Sequence, residues 1–490
     1  MTENIVTAVP PASSGDPTCD WSQLQQDVLI KIFSQLQLPE LVYSGAACKP
    51  WRLSYLAVRR LQLCSPNQSP YLIYSSSDRD SNTATLHNLS TNKMYHVSLP
   101  DPPYRNRCII GSSHGWLVTA DEQSNLHLLN PLTGAQIALP SPRTMKGVTP
   151  SFTRDGVLSG YYIHSPDTES DDRADFFEPK KTRYSLYAKA ILSSDPSGGD
   201  CIVLLLHQGW MHLSFARVGD TKWTWLDMEH HACFYYYDIF YDDNASLFYG
   251  VRVSGEIHSI DLSGPSPEVK GILGVFLPDA NYETRYIVRS PWGDLLQVFR
   301  QYYIPGPYVP DSDDKYQVND NQSNIQDQDC DDQPREDDLL DEQEYKEDDD
   351  QNQEDDLLDE HDYEDDGHDH DDDLSDDEQE QEEYYLKNGK LIVYNVDLAK
   401  QEVTKIKGLH DHALFIGFNN MFMVHSHDFP NIRPNCVYIS DDVSDDTCYI
   451  PFSPGELGYL SLEDASLTIM PFSDSLLHWP SPVWFRPHLT

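Results

Sequence analysis

Apolar residues change their spacing twice along this chain. Between residues 20 and 62, Val28, Leu29, Ile32, Phe33 and Leu36 recur at steps of three and four, which sets them on one face of a helix. Pro39 ends that helix and Glu40 sits near the start of the next. Leu41, Val42, Ala46, Ala47 and Cys48 predict a second short helix; Trp51, Leu53, Leu56 and Val58 predict a third. A three-helix unit of this size buries little by itself and needs a partner or a neighbouring domain. Periodicity leaves both open, a helical cap on the rest of the chain being the plainer reading.

From about residue 68 to 310, and again from 384 to 490, the spacing shortens to two. Tyr, Val, Ile, Trp and Phe alternate with polar residues, and Pro, Gly, Asn or Asp punctuate every ten or so positions. The segment repeats itself. Leu126–Pro140 reads as a strand, a turn and a second strand; Leu86–Pro100, Ile257–Lys270, Leu391–Ile406 and Gly458–Pro471 have the same shape, and Leu213–Leu226 fits more loosely. The turns fall near 90, 132, 219, 263, 398 and 463. Units of about 40–50 residues, each of a few antiparallel strands, predict a β-propeller. A β-sandwich is the alternative, kept open by the irregular spacing. The fold class is therefore a small all-α unit followed by an all-β domain.

Charge changes the picture at one place. Of 80 Asp and Glu, 37 lie in residues 311–383, with only 3 of the 34 Lys and Arg; the formal net charge of −46 is largely theirs. Like-charge repulsion and the scarcity of apolar residues predict a disordered acidic insertion. Residues 1–19, rich in Pro, Ser and Gly, predict a disordered tail. Tyr286–Arg300 reads as a hairpin before the insertion and Lys390–Val396 as the next strand after it, so the insertion is expected to be a loop between successive strands of one blade. The remaining residues hold 43 acids and 31 bases and are mildly acidic, so sequence-general nucleic-acid binding, which needs clustered Lys and Arg, is not expected. No apolar run approaches the length of a membrane span, and no secretory leader is visible. Nine scattered cysteines without a C-x-x-C pair fit a reducing compartment, nucleus or cytoplasm. The sequons at Asn67, Asn88, Asn244 and Asn321 are then chance matches.

The two halves together resemble a known family. Leu24-Gln-Gln-Asp-Val28-Leu29, Ile32 and Leu36, then Pro39-Glu-Leu41, then Cys48-Lys-Pro-Trp51-Arg52, are similar to an F-box. His114–Val118, Phe215–Trp225, Gly255–Leu262, Gly293–Arg300, His412–Gly417, Asn435–Tyr438 and Trp484–Pro487 resemble, in order, the KIB-type, kelch-like β-propeller of plant F-box proteins. The resemblance implies a substrate-recognition subunit of an SCF-type cullin–RING ubiquitin ligase. Its F-box would dock on a Skp-type adaptor, and through it on a cullin, while the propeller holds a substrate protein. Adaptor contacts then fall on Leu24, Val28, Leu29, Ile32, Leu36, Pro39, Leu41 and Trp51, some of which must instead form the unit's own core. The alternative is a propeller-type protein-binding module with no ligase association.

Candidate chemistry is sparse, and no catalytic residue, cofactor or metal is expected. Gly111-Ser-Ser-His-Gly115 fits G-x-S-x-G, but the nucleophile Ser113 would need a helix after it, and Trp116–Ala120 reads as a strand. Asp362–Asp373 has carboxylates at alternate positions around Gly367, like a calcium loop, without amphipathic flanking helices. His368-x-His370, His410-x-His412 and His425-x-His427 would each put two imidazoles on one face if they lay in a strand, but a zinc site needs a third and a fourth ligand, and histidines in turns and at strand ends are the plainer reading. The aromatic run Phe234–Tyr237 with Phe240 and Tyr241 exceeds what one sheet face buries, so core packing and a binding surface both claim it.

Overall fold

The computed structural model describes residues 20–65, 67–75, 82–164, 174–207, 212–226, 236–276, 284–301, 390–417, 419–440, 457–470 and 480–488. The expected tail, the acidic insertion, the calcium-like loop and His368-x-His370 lie outside them, as do Phe234 and Tyr235.

Three helices form where the three-four spacing places them: α1 (Gln26–Phe33), α2 (Leu38–Ala47) and α3 (Lys49–Arg60). Pro39 and Pro50 stand in the first turns of α2 and α3, where a missing N–H costs nothing. Leu36 falls beyond the end of α1, in the turn before α2. Gly45 lets α2 and α3 cross closely, since a Cβ there would sit 2.6 Å from the Tyr55 ring.

The rest is a circle of antiparallel sheets. Blade 1 pairs Val483–Phe485, from the C-terminal end, with Tyr71–Ser75, Thr83–Asn88 and Lys93–Ser98. Blade 2 spans Cys108–Ala138, blade 3 Tyr187–Trp225 and blade 4 Tyr236–Leu273, each of four strands in chain order. Blade 5 has Thr284–Arg289, Leu295–Gln301, Lys390–Asp397 and Glu402–Lys405; Gln301 faces Lys390 in register, so the residues between them join neighbouring strands. Blade 6 has five strands, with Met421–His425 innermost and His412–Gly417 running parallel to Cys436–Ser440. Innermost strands touch from each blade to the next, and His412–Gly417 of blade 6 returns to Val483–Phe485 of blade 1. This ring excludes a two-sheet sandwich. The chain ends close it through one shared sheet, burying Trp484 completely against Phe415, with its indole N–H on the Ile416 carbonyl at 2.9 Å.

The six repeating hairpins of the sequence are the two outermost strands of these six blades. Five of the six turns share a device. Asn88, Asn130, Asp261, Asp397 and Asp464 each accept a hydrogen bond from a backbone N–H two or three residues on, closing the turn locally. Between blades 2 and 3 lies a three-stranded sheet, Val148–Phe152, Leu158–His164 and Ala174–Phe177, followed by the helix Pro179–Leu186. It stands outside the circle, because blades 2 and 3 touch directly through Cys108–Ser113 and Tyr187–Leu192.

Two buried histidines make this domain acid-sensitive. Burial pushes His207 down to about 3, with His212 adding to it, and pushes His258 down to about 4, where Tyr236 OH pairs with its Nδ1 at 2.6 Å. Unfolding frees both imidazoles to take up a proton near the ordinary 6.5. Stability is then full above that value and falls as pH drops toward the folded-state values. Linkage from those values puts the loss between pH 6.5 and 4 on the order of 5 kcal/mol in urea melts, and H207N should remove about half of it.

Candidate functional site

Burial divides the eight residues expected at an adaptor surface. Leu29, Pro39 and Leu41 are buried: Leu29 and Leu41 form the unit's core with Phe33, Leu38, Tyr55 and Val58, so their side chains serve packing within the unit. Leu24, Leu36 and Trp51 are half-buried against that core; Phe33 meets the Trp51 ring edge-on at 5.5 Å, and the Trp51 indole donates to the Trp21 carbonyl at 3.1 Å. Val28 and Ile32, one turn apart on α1, remain 41% and 44% exposed. Trp21, Leu53 and Leu56 are exposed as well, on segments that pack against α1 or α3. The sequence carries Leu53 and Leu56 at the same three-residue step, but nothing in it distinguishes them from core positions. A filled core beside solvent-facing apolar side chains is the mark of a surface awaiting a partner.

The helix between them turns the other way. Helix α2 docks on the outer strand of blade 1: Tyr43 OH donates to the His96 carbonyl at 3.1 Å, Tyr95 OH donates to the Glu40 carboxylate, and the Tyr43 and Tyr95 rings stack. Gln37 and Gln68 exchange side-chain bonds with the backbone N–H groups of Ser69 and Leu38, both at 2.9 Å. Burial and the neighbouring Glu40 raise the Tyr95 pKa, so the phenol stays a donor. The helical unit is thus anchored through α2 while parts of α1 and α3 stay free.

A second feature sits on the propeller axis. A cavity of about 620 Å³ gathers residues from the turns and inner strands of blades 2 to 6 and from Arg486–His488. Arg289 donates to the buried Asp242 carboxylate at 2.8 Å on one wall, and Phe240 and Tyr241 line another. Tyr236, by contrast, is core, so the aromatic run divides between the core and the cavity wall. Burial lowers the pKa of His412 and His488, leaving both rings neutral at neutral pH. Ser113 and His114 line the same cavity, but the strand Trp116–Ala120 follows them, as their sequence predicts. Ser113 Oγ accepts the Leu192 N–H at 2.9 Å, tying blade 2 to blade 3. His114 and Gly115 both have positive φ in the tight hairpin turn, and a Cβ on Gly115 would fall 2.4 Å from the His488 carbonyl. Packing thus accounts for the second glycine of the G-x-S-x-G motif. A partly aromatic cavity with charged groups on its walls, Asp243 and Asp428 among them, is suited to holding a partner's side chains.

These sheets and their order find their counterpart in sequence comparison, where the profile of the KIB1-4 β-propeller matches residues 86–460. The chain belongs to the KIB1-4 β-propeller family. It is also similar to F-box only protein 7 of Arabidopsis thaliana, at 26% identity over 253 residues, 51% of this chain and 60% of that protein. A second Arabidopsis thaliana F-box protein is 25% identical over 254 residues, with the same coverage. A third is 29% identical over 126 residues, 24% of this chain and 32% of its own length. The chain thus spans about 60% of the first two relatives. The resemblance to plant F-box proteins with a KIB-type propeller holds on both counts. Among the described residues of this KIB1-4 family member, no helix is long and apolar enough to cross a membrane.

Proposed function

We propose that this protein is the substrate-recognition subunit of an SCF-type cullin–RING ubiquitin ligase, with residues 20–62 as an F-box on a Skp-type adaptor and the propeller as the substrate holder. The observation that carries this reading is the exposed apolar set on α1 and α3, Val28 and Ile32 foremost, beside a core already filled by other residues. The names of the Arabidopsis thaliana relatives support it. In this role the protein transfers nothing itself: it brings a substrate into reach, in the nucleus or cytoplasm, and the axial cavity with Phe240, Tyr241 and the neutral His412 is where a substrate segment would lodge.

The anchoring of α2 on blade 1 favours a second reading, in which the helices only cap the propeller of a protein-binding module. The two differ in one measurement. Affinity capture with the full chain should retrieve a Skp-type adaptor and a cullin if the helices are an F-box, and V28D/I32D should lose both. Retention of the adaptor by that variant returns the helices to the role of a cap.

A further inference from the structure

The paired histidines of blade 6 lacked a third ligand in the sequence. The fold supplies one. His412 and His425 are cross-strand partners at one end of blade 6, and Asp411 immediately precedes His412. The short helical turn Ser426–Asp428 folds back on residue 411, since the Ser426 N–H and hydroxyl both bind the Asp411 carbonyl at 2.8 Å. That backbone lock brings one ligand atom from each of Asp411, His425 and His427 within 4.8 Å of one another. The His425 and His427 rings lie 5.0 Å apart, and the His412 ring is 5.0 Å from His425. His412 also carries a buried Nδ1 that has no hydrogen-bond partner.

We propose that Asp411, His425 and His427 form a binding site for a divalent transition-metal ion of the zinc class. Two imidazoles and one carboxylate are a donor set that suits Zn²⁺ and excludes the oxygen-only preference of Ca²⁺ or Mg²⁺. Bonds of roughly 2.0–2.2 Å put the ligand atoms of a tetrahedral ion about 3.3–3.6 Å apart. Exposed or half-buried side chains on a locked turn reach that from 4.8 Å by small rotations. Three protein ligands leave one position open. His425 also lines the axial cavity, so the open position borders the space where a partner would sit. The orphaned Nδ1 of His412 beside His425 offers a fourth ligand or a hold on a metal-bound water.

The acidic run is the confounding cation binder, with 37 carboxylates and the pair His368 and His370. The test therefore uses Co²⁺ as a spectroscopic probe on the full chain, because low-coordinate cobalt gives intense long-wavelength visible bands, whereas octahedral carboxylate- and water-bound cobalt gives only weak ones. One saturable equivalent with such bands, displaced by Zn²⁺, is expected. H425A/H427A should weaken it by about 100-fold or more, since even outer-shell substitutions cost 10–100-fold. H368A/H370A should leave it unchanged. D411N, near-isosteric at an exposed position, should weaken binding without altering the melting curve. Absence of a saturable band in the wild-type chain overturns the proposal. So does its survival in H425A/H427A or D411N, or its loss in H368A/H370A.

Discussion

Replacing Asp238 with alanine is expected to destabilise the propeller by about 3–5 kcal/mol, far beyond an average substitution. Asp238 is 1% exposed on the innermost strand of blade 4. Its carboxylate pairs with Lys189 of blade 3, which is itself buried, and accepts the N–H groups of Ile239 at 2.9 Å and of Ile287 in blade 5 at 3.0 Å. One side chain therefore ties three consecutive blades at the axis. Alanine would leave the Lys189 ammonium buried without its counter-charge and the Ile287 N–H without this acceptor, and both penalties fall due at once. Burial lifts the Asp238 carboxyl above the ordinary carboxylate range, against the pull of Lys189, so desolvation is already the larger influence on this group. That predicts an asymmetry. K189M should cost less than D238A, because the carboxylate keeps two backbone donors and can take up a proton. K189M/D238L, which removes both charges and refills the volume, should recover much of the loss. Urea denaturation of the two single variants and the double variant measures this directly. Near-additive losses would mean that the pair is not coupled and that the blades are held by apolar packing alone.

What the sequence made legible follows from how local each signal is. The six outer hairpins stood out because each is closed by its own turn, with Asn130 or Asp261 binding the backbone two residues on. The inner strands hid. Ile202–His207 is buried at every position, so alternation carries no information there. The ring closure between Tyr71–Ser75 and Val483–Phe485 is a pairing across most of the chain, which no local pattern encodes. The irregular spacing has three separate causes. The extra sheet at 148–177 lengthens the step from 132 to 219, the residues between Gln301 and Lys390 lengthen the step from 263 to 398, and the added hairpin of blade 6 lengthens the last. On α1, five apolar residues in an eight-residue helix cover more than one face, and hydrophobicity cannot say which of them faces inward. Packing decides: Leu29 and Phe33 turn in, Val28 and Ile32 out. For the proposed metal cluster, the His425-x-His427 spacing is legible in the sequence, but His427 lies in the helical turn after the strand, and the carboxylate arrives through that turn's tertiary lock on the Asp411 carbonyl.

That division on α1 sets up the sharpest functional contrast. V28D/I32D is expected to abolish capture of a Skp-type adaptor while leaving the melting transition almost unmoved. Both side chains are more than two-fifths exposed, and substitutions at such positions usually change stability by no more than about 0.5 kcal/mol. In a docked complex the exposed two-fifths of each would contribute about 0.6–1.3 kcal/mol of apolar burial, and the larger loss comes from an aspartate in its place, which would bury an unpaired charge. Together the two changes should weaken binding by more than about 100-fold, at roughly 1.4 kcal/mol per factor of ten. L29D should lose the adaptor for a different reason. Leu29 is 1% exposed, and a carboxylate among Phe33, Leu41 and Val58 should melt the helical unit itself. Circular dichroism separates the two routes: helix signal kept in V28D/I32D, lost in L29D. The contact should also depend weakly on salt, because apolar burial and not charge would hold it. Capture at low and high ionic strength, with both variants beside the wild type, reads all three expectations. Adaptor binding that persists in V28D/I32D, or that fades with salt in the wild type, would place the contact elsewhere and leave the helices as a cap on blade 1.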